Sequence, residues 1–392
     1  MKASGRWIIL GILITISGIP ALGQAAVTGS CTICHTMHNS EKGYTVAFTL
    51  DESGQKVTRE NAFPQLLRTN CLGCHSEVGN ETIIVYNETS RFPIVFNLAE
   101  PTYPPDSNNK STSTLAGGNF HWVVKYGDDY GHNVLGIGAR DYKYPPGTIP
   151  PGGVNHTDAN GDPVLLADAN GDPVGLSGVS CDNCHESLFT SQSGCEGCHV
   201  PFHHADSADV LAVKDKGWYR FLGSVMLRNE QEGPPAEGVI GIEDPNWEQN
   251  PLDGQHNTYQ GTTASSLSYL DSGAINQKCI GCHSRFHNET IANSTWIRHP
   301  DNAVIPDTGE FADYTTYDPL VPVARQNVND SDAGFLNINH NSDMVSCISC
   351  HRPHGSPYPA MMRWGYRYWP GLDPRSDETA QNGCAVCHTY KN

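Results

Sequence analysis

Apolar residues in this chain come in short, scattered groups, apart from one long run near the start. Trp7 to Ile19 is almost continuously apolar, preceded by Lys2 and Arg6 and followed by small residues from Pro20 to Ala26. A charged start, an apolar stretch of this length and a small-residue exit form a secretory signal, too short for a comfortable membrane span. Residues 1–25 are read as a leader cut between Gly23 and Ala26, and residues 26–392 as one domain with no membrane span of its own. Within that domain neither the helical nor the strand period persists. A hairpin is expected around Gly43–Thr58, and residues 78–120, rich in Asn, Thr, Ser and Pro, read as extended loop. Four prolines between Tyr142 and Gly153 keep that stretch extended. Residues 205–278 are mostly loop, with one apolar helix or strand candidate at Trp218–Leu227, and an aromatic run spans Tyr358 to Trp369.

The apolar fraction, 38%, is low for 392 residues expected to bury a large core, and 39 glycines with 26 prolines suit a loop-rich chain. Something other than side chains must fill the interior. The cysteines say what. Seven segments have the form Cys-x-x-Cys-His, in which both thiols bond a haem and the adjacent histidine ligates its iron. The thioether pairs are Cys31 and Cys34, Cys71 and Cys74, Cys181 and Cys184, Cys195 and Cys198, Cys279 and Cys282, Cys347 and Cys350, and Cys384 and Cys387. The iron-binding partners are His35, His75, His185, His199, His283, His351 and His388. Together they consume all 14 cysteines, leaving none for a disulfide or a zinc cluster. A single motif could be a redox dithiol or half a zinc site, but seven with no stray thiol indicate seven haem c groups. The fold class expected is irregular and loop-rich, with short helices at the motifs, few short strands and a core formed by stacked haems. Without haem the chain is expected to be unfolded, its stability arriving with the cofactor.

Of 18 histidines, eleven remain for other work. Candidates for the second axial position are His38, His132, His203, His204, His287, His299, His340 and His354. His38 and His354 follow their motif histidines by three residues, His203 and His287 by four. Neither spacing lets a histidine reach the far face of its own porphyrin, so each must serve a neighbouring iron. For His38 that neighbour can lie in another molecule. His156 and His256 sit in polar, turn-like sequence and read as solvent-exposed. His121 stays open. An iron with two histidine ligands passes single electrons and offers no site to substrate, so no catalytic residue is assigned.

Net charge is −18 before any haem propionates are counted, which argues against nucleic acid as a partner. Residues 157–176 repeat an Asp-Ala-Asn-Gly-Asp-Pro-Val unit. Calcium is a candidate at Asp158, Asn160 and Asp162 and again at Asp168, Asn170 and Asp172. The spacing departs from an EF-hand, whose glycine comes sixth and whose acid comes twelfth, and a pair of Asn-Gly turns accounts for it better.

Several stretches resemble the extracellular multihaem cytochrome filament (nanowire) subunits of metal-reducing bacteria. They are Cys34-His-Thr-Met-His-Asn-Ser40, Cys71-Leu-Gly-Cys-His75, Gly117-Gly-Asn-Phe with Trp122-Val, Gly131-His-Asn133 and Gly217-Trp-Tyr-Arg-Phe-Leu-Gly223. Further on come His287-Asn after Cys279, Arg298-His-Pro300, Cys347-Ile-Ser-Cys-His-Arg-Pro-His354 and Cys384–His388. The resemblance implies a loop-rich wrap around a continuous haem stack and head-to-tail polymerisation, with His38 ligating the iron held by His351 of the adjacent subunit. It also implies export through the periplasm to the cell surface, where other multihaem cytochromes and metal or mineral acceptors are partners. Its hexahaem members lack one motif. Cys181–His185 is the apparent insertion, with His204 or His121 left to complete its iron. A soluble electron carrier with internal ligation, and a multihaem oxyanion reductase, are the alternatives to a filament subunit. The reductase is disfavoured because no variant motif such as Cys-x-x-Cys-Lys is present.

Overall fold

The computed structural model describes residues 30–51, 54–86, 90–103, 114–134, 136–137, 194–199, 203, 219, 222, 238–249, 254–263, 273–280, 283, 299–365 and 383–389. The leader, the proline-rich stretch, the repeat with its calcium candidates, the motif Cys181–His185, and Cys282, His156, His204 and His287 lie outside them. Of the Trp218–Leu227 candidate only Tyr219 and Leu222 are described.

Regular structure is sparse, as the patterning predicts. The strands are β1 Ser40–Glu41, β2 Tyr44–Thr45, β3 Phe48–Leu50, β4 Lys56–Thr58, β5 Ser76–Glu77, β6 Ile83–Tyr86, β7 Ser90–Pro93, β8 Phe96–Asn97, β9 Gly241–Ile242, β10 Thr258–Tyr259, β11 Ala324–Arg325 and β12 Asp343–Met344. They pair only two by two, and β5 with β8 is the one parallel pair among the described strands. The expected hairpin forms with Phe48 opposite Thr58. Residues 78–120 depart from the loop expected. Ile83-Ile-Val-Tyr86 folds back on Ser90-Arg-Phe-Pro93 as a four-residue hairpin, Ile83 opposite Pro93. Its β-branched and aromatic run outweighs the polar residues around it.

The helices are one or two turns long: α1 Cys71–His75, α2 His121–Tyr126, α3 Ile275–Ile280, α4 Cys347–Cys350 and α5 Cys384–Cys387. All but α2 carry motif cysteines. Asn70 caps α1, its side chain accepting from the Gly73 amide at 3.1 Å, and Ser346 and Ser349 form a reciprocal cap on α4. No described helix is long and apolar enough to cross a membrane.

Three small apolar clusters replace a single core among the described residues. One gathers Tyr314, Tyr317, Val323, Phe335 and Trp364 with Cys387. The second gathers Tyr219, Tyr259, Met344 and Ile348, the third Leu72, Phe120, Val123 and Val134. In three motifs the residue after the first cysteine anchors into this interior, Leu72, Ile280 and Ile348 all being buried, whereas Thr32 in the first motif is exposed. Arg325 ties the second cluster to its polar surroundings, meeting Asp332 at 2.6 Å and the fully buried Asp343 at 3.2 Å.

Candidate haem-binding sites

Each described motif makes the same turn. The amide of the histidine reaches back to the carbonyl of the first cysteine, at 2.8 Å for His35, 2.9 Å for His199 and His388, and 3.1 Å for His283 and His351. One helical turn puts both thiols and the imidazole on one side, the arrangement a porphyrin tethered at two points and ligated at its centre requires. The thiols also stand close between motifs. Cys71 hydrogen-bonds Cys195, and Cys279 hydrogen-bonds Cys347. Cys34 lies beside Cys74, and Cys350 beside Cys384 and Cys387. Burial pushes Cys74 up to about 11 and Cys350 and Cys387 up to about 12. Cys71 and Cys279 shift the other way, lowered first by their hydrogen bonds with Cys195 and Cys347.

Four motif histidines face a histidine from elsewhere in the chain. Ring centres are 6.2 Å apart for His75 and His203, 5.8 Å for His199 and His354, 6.0 Å for His283 and His132, and 6.2 Å for His388 and His299. Other ring pairs span this range too, from 3.6 Å for His256 and Tyr317 to 6.3 Å for His75 and Phe92, so what sets these four apart is that each joins a motif histidine to a second imidazole. Two imidazoles bound to one metal ion through bonds of about 2 Å hold their ring centres about 6 Å apart. The four gaps therefore fit an iron between the rings. Burial disfavours the charged form of His75, His132 and His354, leaving the neutral form that binds metal. His132 is pushed down to about 4 by burial and then by His283, and His354 to about 3 by burial and then by His199.

In five of the motif or facing histidines the second nitrogen is held by a backbone carbonyl, whereas His354 Nδ1 is buried without a hydrogen-bond partner among the described residues. Nδ1 donates to the carbonyl of Gln65 from His35 (3.0 Å), of Pro93 from His75 (2.8 Å), of Pro353 from His132 (2.9 Å), of Pro300 from His299 (3.0 Å) and of Ala360 from His351 (2.9 Å). His388 Nδ1 stands 3.1 Å from a Glu310 carboxylate oxygen. Such contacts fix the tautomer and leave Nε2 to a metal. Two other histidines behave differently. His256, expected at the surface, is 2% exposed, with Nδ1 2.9 Å from the Asn257 carbonyl and Nε2 2.7 Å from the Phe335 carbonyl. His340 directs Nε2 to the Phe311 carbonyl at 3.1 Å.

A repeat not apparent from the motifs alone links the first motif to the one at Cys347. Phe63-Pro-Gln-Leu-Leu-Arg68 and Tyr358-Pro-Ala-Met-Met-Arg363 follow them, each as a 3-10 turn whose residue after proline is left-handed, Gln65 at φ 57° and Ala360 at φ 56°. Those two residues supply the carbonyls that receive His35 and His351. Arg68 and Arg363 donate amides to Cys34 and Cys350, both at 2.8 Å. Cys-x-x-Cys-His-x-x-His followed by aromatic-Pro-x-apolar-apolar-Arg is thus one module used twice. In it His38 occupies the place of His354, and His38 is exposed beside Met37, 76% exposed.

A clasp of glycines positions the histidines around the second copy. Gly118, at φ +91°, lies against Gly355, at φ +126°, and a Cβ on Gly118 would stand 2.0 Å from the Gly355 carbonyl oxygen. The approach brings His132 onto Pro353 and Gly117 against His354. Arg352 and Arg363 lie beside it, 4% and 2% exposed, and reach the carbonyls of Leu115 and Ile348, both at 2.6 Å. No described carboxylate pairs with either arginine. Arg352 Nε and Arg363 Nη1 are buried without a hydrogen-bond partner, donors of the kind a haem propionate satisfies.

The motifs and the geometry around them define a multihaem c-type cytochrome. A family profile of the doubled CXXCH motif matches residues 340–392. The chain is related to C-type cytochrome OmcS of Geobacter sulfurreducens, 24% identical over 385 residues, covering 86% of this chain and 79% of that protein. Two solved structures are also similar. "Cryo-EM of the OmcS nanowires from Geobacter sulfurreducens" aligns at a TM-score of 0.47 and 18% identity over 93% of this chain and 94% of that one. "Outer Membrane Cytochrome S Filament from Geobacter Sulfurreducens" aligns at 0.44 and 16% over 94% and 100%.

Proposed function

We propose that this protein carries electrons along seven covalently held haems, each iron between two histidines, and that exported copies join end to end into an extracellular filament. The observation that carries the reading is the set of four imidazole pairs, at 5.8 to 6.2 Å, each joining a motif histidine to one distant in sequence. Haem in such a site supplies a reversible one-electron couple. The chain's own part is to hold imidazoles neutral, aim Nε2 through carbonyl contacts at Nδ1, and keep successive sites adjacent. Close approaches between motifs run in one sequence: from the Cys31 motif to the Cys71 and Cys195 motifs, then through His354 and His132 to the Cys279, Cys347 and Cys384 motifs. Fixed ligands on both faces leave little to reorganise when charge passes, which suits a conductor rather than a catalyst.

His351 is oriented by the Ala360 carbonyl, and no ring pair like the four above joins it to a described histidine, although His283 and His132 lie near it. His38 has the complementary property, since its counterpart His354 faces another motif's histidine while His38 itself is exposed. The reading therefore pairs His38 with His351 of the next copy. Such a head-to-tail contact does not close on itself and propagates as a fibre. The His38→Ala variant should keep seven haems by mass, show one high-spin haem per chain, and form no filaments in negative stain. Filaments of normal length from that variant would refute the pairing.

A further inference from the structure

We infer that His121 is an axial ligand of a haem iron other than the four held between the pairs above. The inference rests on the bis-histidine reading and extends it to a residue that neither motif spacing nor the pairs assign. Histidines divide by which nitrogen the protein uses. Those in or opposite a motif that contact a carbonyl give it Nδ1, whereas His256 and His340 engage Nε2. His121 belongs with the former: Nδ1 donates to the Asn97 carbonyl at 3.0 Å, and Nε2 is buried with no hydrogen-bond partner among the described residues. An imidazole whose second nitrogen already donates presents a lone pair at Nε2, and burying it unmatched is unfavourable unless an acceptor of that lone pair is supplied. A haem iron is such an acceptor.

The ring is also held as a ligand must be. Asn97 and Asn119 are both 0% exposed and bind each other, the Asn119 amide donating to Asn97 Oδ1 at 2.7 Å and Asn119 Oδ1 accepting from the Asn97 amide at 3.2 Å. Asn119 Oδ1 also takes the His121 amide at 3.0 Å, while the Asn97 side chain donates to the carbonyls of Gly79 and Glu81 at 3.0 and 2.9 Å. Trp122 stands edge-on to the imidazole, ring centres 5.2 Å apart. Backbone, side chain and neighbouring ring thus fix the direction of Nε2 before any iron binds, the outer-shell support metal-binding histidines show.

The test compares haem-loaded wild-type protein with His121→Ala by electron paramagnetic resonance and haem mass count, in the same assembly state. The expected result is unchanged haem number, one additional high-spin haem in seven, and return to the low-spin state when imidazole is added. A spectrum identical to wild type, or a high-spin signal that imidazole does not reverse, overturns the assignment. If His121→Ala does not accumulate, His121→Met asks the same question. Methionine at a ligand position keeps the iron low-spin and adds a sulfur-to-iron charge-transfer band, and no such band means no ligand. A high-spin haem already present in wild-type filaments would instead overturn the bis-histidine reading beneath the assignment.

Discussion

His256 and His121 illustrate what a single residue reveals outside its setting. Both lie far from a motif, His256 in polar sequence and His121 between Phe120 and Trp122, yet one is locked between two carbonyls beneath Tyr317 and the other keeps Nε2 buried and unmatched among the described residues. Sequence supplied the count of histidines and the seven that follow cysteine. It could not supply which nitrogen each ring uses, because the deciding carbonyls come from residues up to 221 positions away, as Pro353 does for His132. Gly117 is legible only in the same way. A Cβ there would sit 2.9 Å from His354 Nδ1 and 3.1 Å from Cε1, inside ordinary contact distance, so the imidazole would have to tilt away from His199. Gly117→Ala should leave every haem attached while converting one to a weakly ligated or high-spin form, read as loss of about one low-spin haem by magnetic circular dichroism. An unchanged spectrum would mean that the His354 ring has room to move.

At the scale of elements, the short helices were predictable because Cys-x-x-Cys-His can place its three haem contacts together only by making a turn. The twice-used module was present in the sequence as Phe63-Pro-Gln-Leu-Leu-Arg68 and Tyr358-Pro-Ala-Met-Met-Arg363, but a six-residue likeness nearly 300 positions apart gains meaning only when both copies touch a motif. Its left-handed residue is where the module can be tested. Ala360 at φ 56° offers its carbonyl to His351, and a β-branched side chain tolerates that conformation poorly. Ala360→Val should cost about 1–3 kcal/mol of stability, seen as a lower denaturation midpoint together with a changed His351 haem spectrum. Ala360→Gly, which relieves the left-handed strain, should show neither loss. The β6–β7 hairpin is hidden in the sequence for a different reason. Turn-forming residues on both sides of Ile83–Tyr86 masked a four-residue run whose preference for strand is strong.

For the whole molecule, low apolar content and exhausted cysteines pointed to an interior built on cofactors, and the architecture agrees: six two-stranded ribbons and one- or two-turn helices among the described residues. What the sequence could not give is the order in which motifs approach one another. Cys195 lies beside Cys71 in space although more than 120 residues separate them in the chain. Ring pairs such as His199 with His354 and His132 with His283 join the two halves of the polypeptide. On the proposed ligation, an iron between each such pair cross-links distant segments.

The division of the interior into three small clusters carries a consequence for biosynthesis. Among the described residues none is large enough to drive collapse ahead of the cofactors, so on the proposed reading the polypeptide stays open until haem is attached and every Cys-x-x-Cys-His remains accessible for that attachment. Folding is then metered by maturation rather than by translation. Cells starved of haem should yield an exported chain that limited proteolysis cuts throughout, whereas the fully loaded product resists. A protease-resistant haem-free form would mean that the clusters suffice by themselves.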